Sequence, residues 1–329
     1  GVSVSATETI YGRSEVTETI DPFVKTKVDG KVGIEETDIP TIILAEADSA
    51  RAGVDLLLNI YKDYGAYFAS GVFICDQKET WYIENCSGHE YVAIKVPDDM
   101  IFLEPNMAVI GRVDLDDPNI IASDKLIEVA VKAGTFKGDA DKKIIDFRAS
   151  YAGRQDRMDQ RMVDGLNYLN KNYNYTAEQL LADNTRFTIS NVDANDDQVG
   201  LYTNINIEAG RKLDKNDVFG YYKLSSIGKP SNQDIEIFQL FKDNDVTTGT
   251  VGWVGVGDMS NNVFVPYYPM LLTDSNEMYE GYQVSLPAVT QLDEKPDNFC
   301  TWQNVYNYDL GKYEPKFISY PDGWRDSYY

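Results

Sequence analysis

"GVFICDQKETWYIENCSGHEYVAIKV", residues 71–96, holds three runs rich in Val, Ile, Tyr and Trp. Two short polar turns separate them, at Gln77–Lys78 and Ser87–Gly88. β-Branched and aromatic residues suit a pleated, half-buried surface, and short runs bounded by turns read as strands. A parallel pairing needs a crossover of about a dozen residues or more, so connections this short dictate an antiparallel meander.

Upstream, "DIPTIILAEADSARAGVDLLLNIYKDYG" carries apolar residues at helical spacing. Asp38 can cap it, Pro40 falls in its first turn and Gly65 can stop it, which predicts one long helix from about 40 to 63. The opening "GVSVSATETI" alternates, with Val2, Val4 and Ala6 on one side, as a half-buried strand does. Residues 12–38 are polar and read as an excursion with "DGKVG" as a turn.

Downstream, "MIFLEPN" and "MAVIGRVDL" read as two strands, or as one strand interrupted at Pro105. "SDKLIEVAVKAG" reads as a helix capped by Ser123. "DQRMVDGLNYLNKN" predicts a helix over about 156–172, and "TAEQLLAD" a short one capped by Thr176. A polar stretch follows at 190–200, then strands at "QDIEIFQLFK", "GTVGWVGVG" and "NVFVPYYP". Residues 276–329 read as an irregular Tyr/Pro-rich region. Strand blocks alternating with helix blocks imply an α+β fold, two antiparallel sheets with helices packed outside. At 329 residues the chain has the length of one large domain or two of ordinary size.

Acidic residues dominate: 53 Asp+Glu against 30 Lys+Arg give a net charge of −23. Such a field repels phosphate backbones and anionic membrane surfaces, which argues against nucleic-acid and membrane partners. No run of 18 apolar residues is present, so no helix is expected to cross a membrane. At 43% hydrophobic and 12% aromatic, the chain has ample material for a core and is not a disordered polymer. The first residue is not Met and the sequence opens in strand pattern, so a processed or excised chain is expected; the compartment stays unknown, cytoplasmic or secreted.

Few constellations of known chemistry are present. His89 is the only histidine, and Cys75, Cys86 and Cys300 lack zinc-like spacing, so no metal site and no cofactor are expected. A Ser-His-Asp triad has only His89 to offer and lacks the Gly-x-Ser-x-Gly elbow. Cys86 and His89 could pair as a dyad, but a turn separates them and structural turn residues are the better reading. "DANDDQVG", residues 193–200, begins like a calcium loop, yet Gln198 stands at the sharp-turn glycine and Asn204 at the bidentate glutamate. A solvated loop fits it better. "GWVGVG" lacks the lysine of a phosphate loop.

Several stretches together resemble one family. "VSVSATETI" is similar to the "SATET" signature of the dipeptidase A-type cysteine peptidases, which are N-terminal-nucleophile hydrolases. The Ser-Gly-His turn, the "VPDD" after it and "FLEPNMAV" resemble that family's order of motifs, and "IEIFQLF", "GTVGWVGVGD" and "NVFVPYYPMLLTD" resemble its C-terminal sheet. The resemblance implies an αββα sandwich, two antiparallel sheets between helical layers, as a single domain over 1–329 that is incomplete at its N-terminus. It implies hydrolysis of dipeptides without metal, by a cysteine at the mature N-terminus whose own α-amino group serves as base. No cysteine precedes Cys75, and the family's nucleophile lies upstream of "SATET". The expectation is therefore that the nucleophile is absent from this chain and that the chain alone is inactive.

The same resemblance points to Asn106 in "EPNM" as an oxyanion donor, although a turn asparagine after proline remains an alternative. Arg161 in "QRMVDGLNYL" resembles a family arginine that orients the nucleophile or binds the substrate carboxylate; Arg157 is a rival, and a solvated helix charge is the plain alternative. His89 is a candidate to face substrate from its turn. Two further readings stay open: linear amide hydrolysis of the bile-salt or penicillin V type, and a non-catalytic surface or binding module. An incomplete sheet would expose an edge, so a homo-oligomer is also an expectation.

Overall fold

In the computed structural model, the meander lies at the centre of a five-stranded antiparallel sheet. The structure describes residues 1–7, 10–26, 31–98, 101–154, 158–169, 174, 176–182, 204–205, 213–229, 232, 234–256, 263–273, 301–307 and 312–318. They divide into two units, Gly1–Lys212 and Leu213–Tyr329. The first unit runs β1 (Ser3–Thr7), α1 (Ser14–Thr17), α2 (Ile39–Glu46), α3 (Ala50–Asp63), β2 (Ser70–Cys75), β3 (Thr80–Asn85) and β4 (Tyr91–Val96). It continues through β5 (Ile101–Phe102), β6 (Arg112–Asp114), β7 (Ile120–Ala122), α4 (Leu126–Lys132), β8 (Gly138–Asp139), β9 (Ile144–Asp146), α5 (Phe147–Tyr151), α6 (Gln160–Leu169), α7 (Ala177–Ala182) and β10 (Asn204–Ile205).

The main sheet has the order β1-β2-β3-β4-β7 with every pair antiparallel. Alternation assigns its two faces. Val72, Ile74, Trp81, Ile83 and Ala93 point to one side and join Ile39, Ile43, Val54, Leu57 and Tyr61 of α2 and α3 in one core. Val2, Val4 and Ala6 pack onto that core, as their alternation predicts. Burying each large apolar side chain there contributes about 1.5–3 kcal/mol. The other face carries Tyr82 and Glu84, both without solvent exposure.

The expected single helix over 40–63 is instead two. Ala47 is extended, and Ser49 caps α3 by accepting the Ala52 N–H at 3.3 Å. Asp76 adds a second cap, its Oδ2 accepting from Ala50 N at 2.8 Å while Oδ1 accepts from Lys78 N and Glu79 N in the β2–β3 turn. The break therefore depends on a residue from the meander, which periodicity does not register. Asp38 makes no side-chain cap to α2. Gly65 ends α3 at φ +79°, a left-handed conformation that glycine adopts without strain.

Ser123 also departs from expectation. It does not cap α4; its hydroxyl accepts from Tyr91 N at 3.2 Å and donates to Glu90 Oε2. Thr176 does cap α7, in a reciprocal pair with Gln179 at 3.2 and 3.0 Å. The helix expected over 156–172 is described as Gln160–Leu169, and the polar excursion 12–38 contains α1. "MAVI" is not a strand, leaving β5 and β6 on either side of an irregular stretch from 103 to 111. Arg157, the stretch 193–200 and Cys300 lie outside the described residues.

The second unit opens with α8 (Lys215–Tyr222), held by a capping box between Asp214 and Asp217. The three predicted strands follow as β11 (Asp234–Leu240), β12 (Thr250–Val256) and β13 (Val265–Tyr267), an antiparallel sheet in that order. Phe219 of α8 packs edge-on against Trp253 of β12 at 5.1 Å. Within 276–329, read from sequence as irregular, β14 (Thr301–Asn307) and β15 (Lys312–Ile318) pair as an antiparallel hairpin. Mixed helix and antiparallel sheet in both units make the chain α+β. Among the described residues no helix is long and apolar enough to cross a membrane.

Candidate active site

Asn106 sits in a tight turn, with Met107 N donating to Pro105 O at 2.5 Å across it. The stretch after it is held from below by the main sheet. Glu84 accepts Val109 N at 2.6 Å and Ile110 N at 3.2 Å, and also the Tyr82 hydroxyl at 2.9 Å. Next along, Phe147 N and Arg148 N donate to Gly111 O and Ile110 O at 2.8 Å each, suspending α5 from the same stretch. Residues 11–13 pair with 151–153: Gly153 N donates to Tyr11 O at 2.6 Å and Arg13 N to Tyr151 O at 2.8 Å. Gly12 passes so close to Cys86 that a Cβ would lie 2.1 Å from the Cys86 carbonyl oxygen.

These segments enclose a cavity of about 210 Å³ whose lining includes Tyr11, Asn106, Arg148, Arg154, Asp159 and Arg161. Asn106 and Arg161, both expected from sequence, thus share one cavity. Among the described residues the Asn106 side chain has no hydrogen-bond partner, which leaves its amide available to a ligand. Arg161 is held: its Nε and Nη2 donate to Asp159 Oδ1 and Oδ2 at 3.0 and 2.8 Å, and its backbone N–H donates to Oδ1 at 2.8 Å. Two parallel N–H···O bonds fix the guanidinium plane. Arg148, half-buried, lines the same cavity, and desolvation lowers its pKa while Asp146 and Glu84 draw it back up.

Two acids flank the Asn106 stretch, the fully buried Glu84 and the half-buried Glu104. Burial pushes the Glu84 carboxyl up to about 7, against the pull of its hydrogen bonds and of Arg148. Burial, and then the charge of Glu84, push Glu104 well above the usual carboxylate range, and Arg161 draws it back. Glu104 Oε1 is buried with no hydrogen-bond partner. Like-charged carboxyls held together in a poorly solvated place favour the neutral form.

His89 lies elsewhere, in a second cavity of about 720 Å³ with Asp21, Glu90 and Ser123. Its Nδ1 is 2.8 Å from Asp21 Oδ1, and Asp21 Oδ2 accepts from Ser87 Oγ, His89 N and Glu90 N at 2.7, 2.7 and 3.2 Å. Burial works to raise the Asp21 carboxyl, but these hydrogen bonds outweigh it and hold it below its ordinary value. The Asp21 bond raises the His89 pKa against opposing burial. The geometry ties Asp21, in the 12–38 excursion, to the β3–β4 turn.

The described cysteines are poorly placed as nucleophiles. Cys86 has no solvent exposure, and burial pushes its thiol well up. Burial raises Cys75 as well. A thiol held protonated is a weak nucleophile. Among the described residues, no group of three or more His, Cys, Asp or Glu could hold a metal ion.

Sequence reading missed Glu84, Asp159 and Arg154. Glu84 had a signal, a charge in the middle of the apolar strand "TWYIEN". Asp159 stands two residues before Arg161, near enough to have been considered as its partner. Arg154 carries no local mark beyond its charge.

Comparison with known proteins supplies the family. The model of peptidase family C69 matches residues 1–287. A protein named probable dipeptidase B from Streptococcus pyogenes serotype M1 is 31% identical over 330 residues, covering 96% of this chain and 62% of that protein. A probable dipeptidase from Salmonella dublin is 30% identical over 286 residues, covering 82% of this chain and 61% of that protein. A probable dipeptidase B from Lactococcus lactis subsp. lactis strain IL1403 is 24% identical over 330 residues. The chain thus spans about 62% of the length of the first of these relatives. With a family match that runs through the meander, the Asn106 turn and the Arg161 helix, the chain belongs to peptidase family C69.

Proposed function

We propose that this chain forms the substrate-binding and oxyanion side of a dipeptidase, which hydrolyses the peptide bond of dipeptides with a cysteine nucleophile and without metal. The observation that carries the reading is the uncommitted Asn106 amide, which lines the same cavity as the locked Arg161–Asp159 pair. A tetrahedral intermediate of acyl transfer concentrates negative charge on the former carbonyl oxygen. A fixed amide N–H aimed at that oxygen stabilises it more than it stabilises the ground state. Arg161, with its plane set by Asp159, keeps positive charge at the same cavity.

The buried Cys86 thiol and the half-buried Cys75 thiol, both raised in pKa by desolvation, support a nucleophile outside the described residues, as the family resemblance implies. On this reading residues 1–329 alone do not hydrolyse dipeptides. The fold is further proposed to be the αββα sandwich of the N-terminal-nucleophile type; in the first unit, the α2–α3 layer on one face of the main sheet, with Tyr82 and Glu84 buried on the other, supports this. The test is dipeptide hydrolysis by the full-length protein and by its Asn106→Ala variant. The expected outcome is activity resistant to chelators, with kcat lowered ~10²–10³-fold in the variant. An unchanged kcat would remove Asn106 from the reaction.

A further inference from the structure

Arg154 differs from the other cations of the site. It is exposed, and among the described residues no carboxylate pairs with it. Its guanidinium carbon stands 3.5 Å from the centre of the Tyr11 ring. Face-on stacking of this kind occupies the flat surface of the guanidinium and leaves the N–H edge free for an in-plane acceptor. The stack is built by the backbone: Tyr11 and Arg154 flank the antiparallel bridge between Gly12 and Ala152, with Gly153 N bonded to Tyr11 O at 2.6 Å.

Arg154 also has φ +55°, in the left-handed region where a residue with a long side chain is uncommon. Strain of this sort costs on the order of 1–3 kcal/mol and persists where the surroundings enforce it, often at ligand sites. The conformation places Arg154 on the lining of the Asn106 cavity and of the open cleft beside it, where Tyr11 and Arg13 also lie. In a chain of net charge −23, an exposed arginine held flat at a cavity mouth marks a local site for an anion.

Arg161 is already engaged on its Nε and Nη2 edge by Asp159, so a second carboxylate cannot take the same two-point contact there. We propose that Arg154, stacked on Tyr11, is the clamp for the free C-terminal carboxylate of a short peptide whose scissile carbonyl approaches Asn106. This rests on the hydrolase reading and deepens it. Arg161 is then a positioning residue and Arg154 a specificity-determining one, selecting peptides that end near the cleavage point. A cavity of about 210 Å³ suits such a small ligand. It lies below the ~300–1,000 Å³ of sites that enclose drug-sized molecules.

The test is calorimetric titration of the 329-residue chain with alanyl-alanine and with its C-terminal amide. The free acid is expected to bind about tenfold tighter than the amide, the factor expected of one charge-assisted contact. Arg154→Gln should abolish that preference by weakening the acid down to the affinity of the amide, and Tyr11→Phe should keep it because the ring remains. Circular dichroism confirms that each variant is folded. Equal binding of acid and amide, no binding of either, or a preference that survives Arg154→Gln overturns the clamp. Hydrolysis by the full-length protein is measured separately. Hydrolysis without discrimination removes the clamp alone; discrimination without hydrolysis removes the hydrolase reading alone.

Discussion

Glu84, with no solvent exposure, accepts the backbone N–H of Val109 at 2.6 Å, 25 residues away along the chain. That bond joins the meander to the stretch that carries Asn106. It places the proposed oxyanion donor on the main sheet through one carboxylate, so the geometry of the site depends on the state of that carboxylate.

The first prediction concerns its protonation. Burial raises Glu84 from 4.5 to about 7, so between those pH values the folded chain holds a proton that the unfolded chain has released. The folded state then binds more protons, and stability from this group falls as pH rises through the window. Glu84→Gln, which cannot ionise, removes that slope. Urea unfolding at several pH values from 4.5 to 7.5 should show wild type losing stability relative to Glu84→Gln as pH rises. Glu84→Ala leaves three buried donors without an acceptor and should cost about 3 kcal/mol or more at any pH. Parallel pH profiles for wild type and Glu84→Gln would refute the assignment.

The second prediction concerns Asp21 and His89. The His89 pKa is raised above 6.5, so its contribution is fully present below 6.5 and lost as pH rises through the folded value. Asp21 is held below 3.8, so its contribution is present above 3.8 and lost as pH falls through the folded value. The pair therefore stabilises most between about 4 and 6.5. Thermal melts of wild type and Asp21→Asn across pH 3–9 should differ most in that window, and the difference should shrink towards both ends, leaving at high pH the part due to the Ser87, His89 and Glu90 donors. A difference independent of pH would mean that Asp21 acts only as a neutral acceptor.

Much of the fold is legible because local pattern and burial agree. The meander, β1 and the sheet β11-β12-β13 all follow from alternation and turn chemistry. The misses share one cause, a partner distant in sequence. Asp76 caps α3 from the β2–β3 turn, so a continuous apolar period from 40 to 63 conceals a break. Ser123 looks like a cap until Glu90 and Tyr91, on the neighbouring strand, claim its hydroxyl. At the candidate site, family motifs point to Asn106 and Arg161, which line one cavity, while Glu84 meets Val109 and Arg154 stacks on Tyr11 through contacts that no spacing rule encodes.

The last prediction separates position from stability in the Arg161–Asp159 pair. Both side chains are partly solvated, at 27% and 21% exposure, so the pair's worth to folding is under about 1 kcal/mol. Its worth to the site is orientation: two bonds to Asp159 fix the guanidinium plane, and one bond to a lysine in its place does not. Arg161→Lys keeps the charge and loses the fork. Asp159→Asn keeps the shape but donates where it formerly accepted. In the full-length protein each change should leave the melting temperature within a few degrees and lower kcat by about tenfold, because losing the fixed guanidinium loosens the geometry of the Asn106 cavity and weakens transition-state binding more than substrate binding. The double variant should lose no more than the worse single one, since both remove the same locked geometry. Additive losses would show that Arg161 and Asp159 serve the reaction separately, and an unchanged kcat with raised KM would return Arg161 to uniform substrate binding.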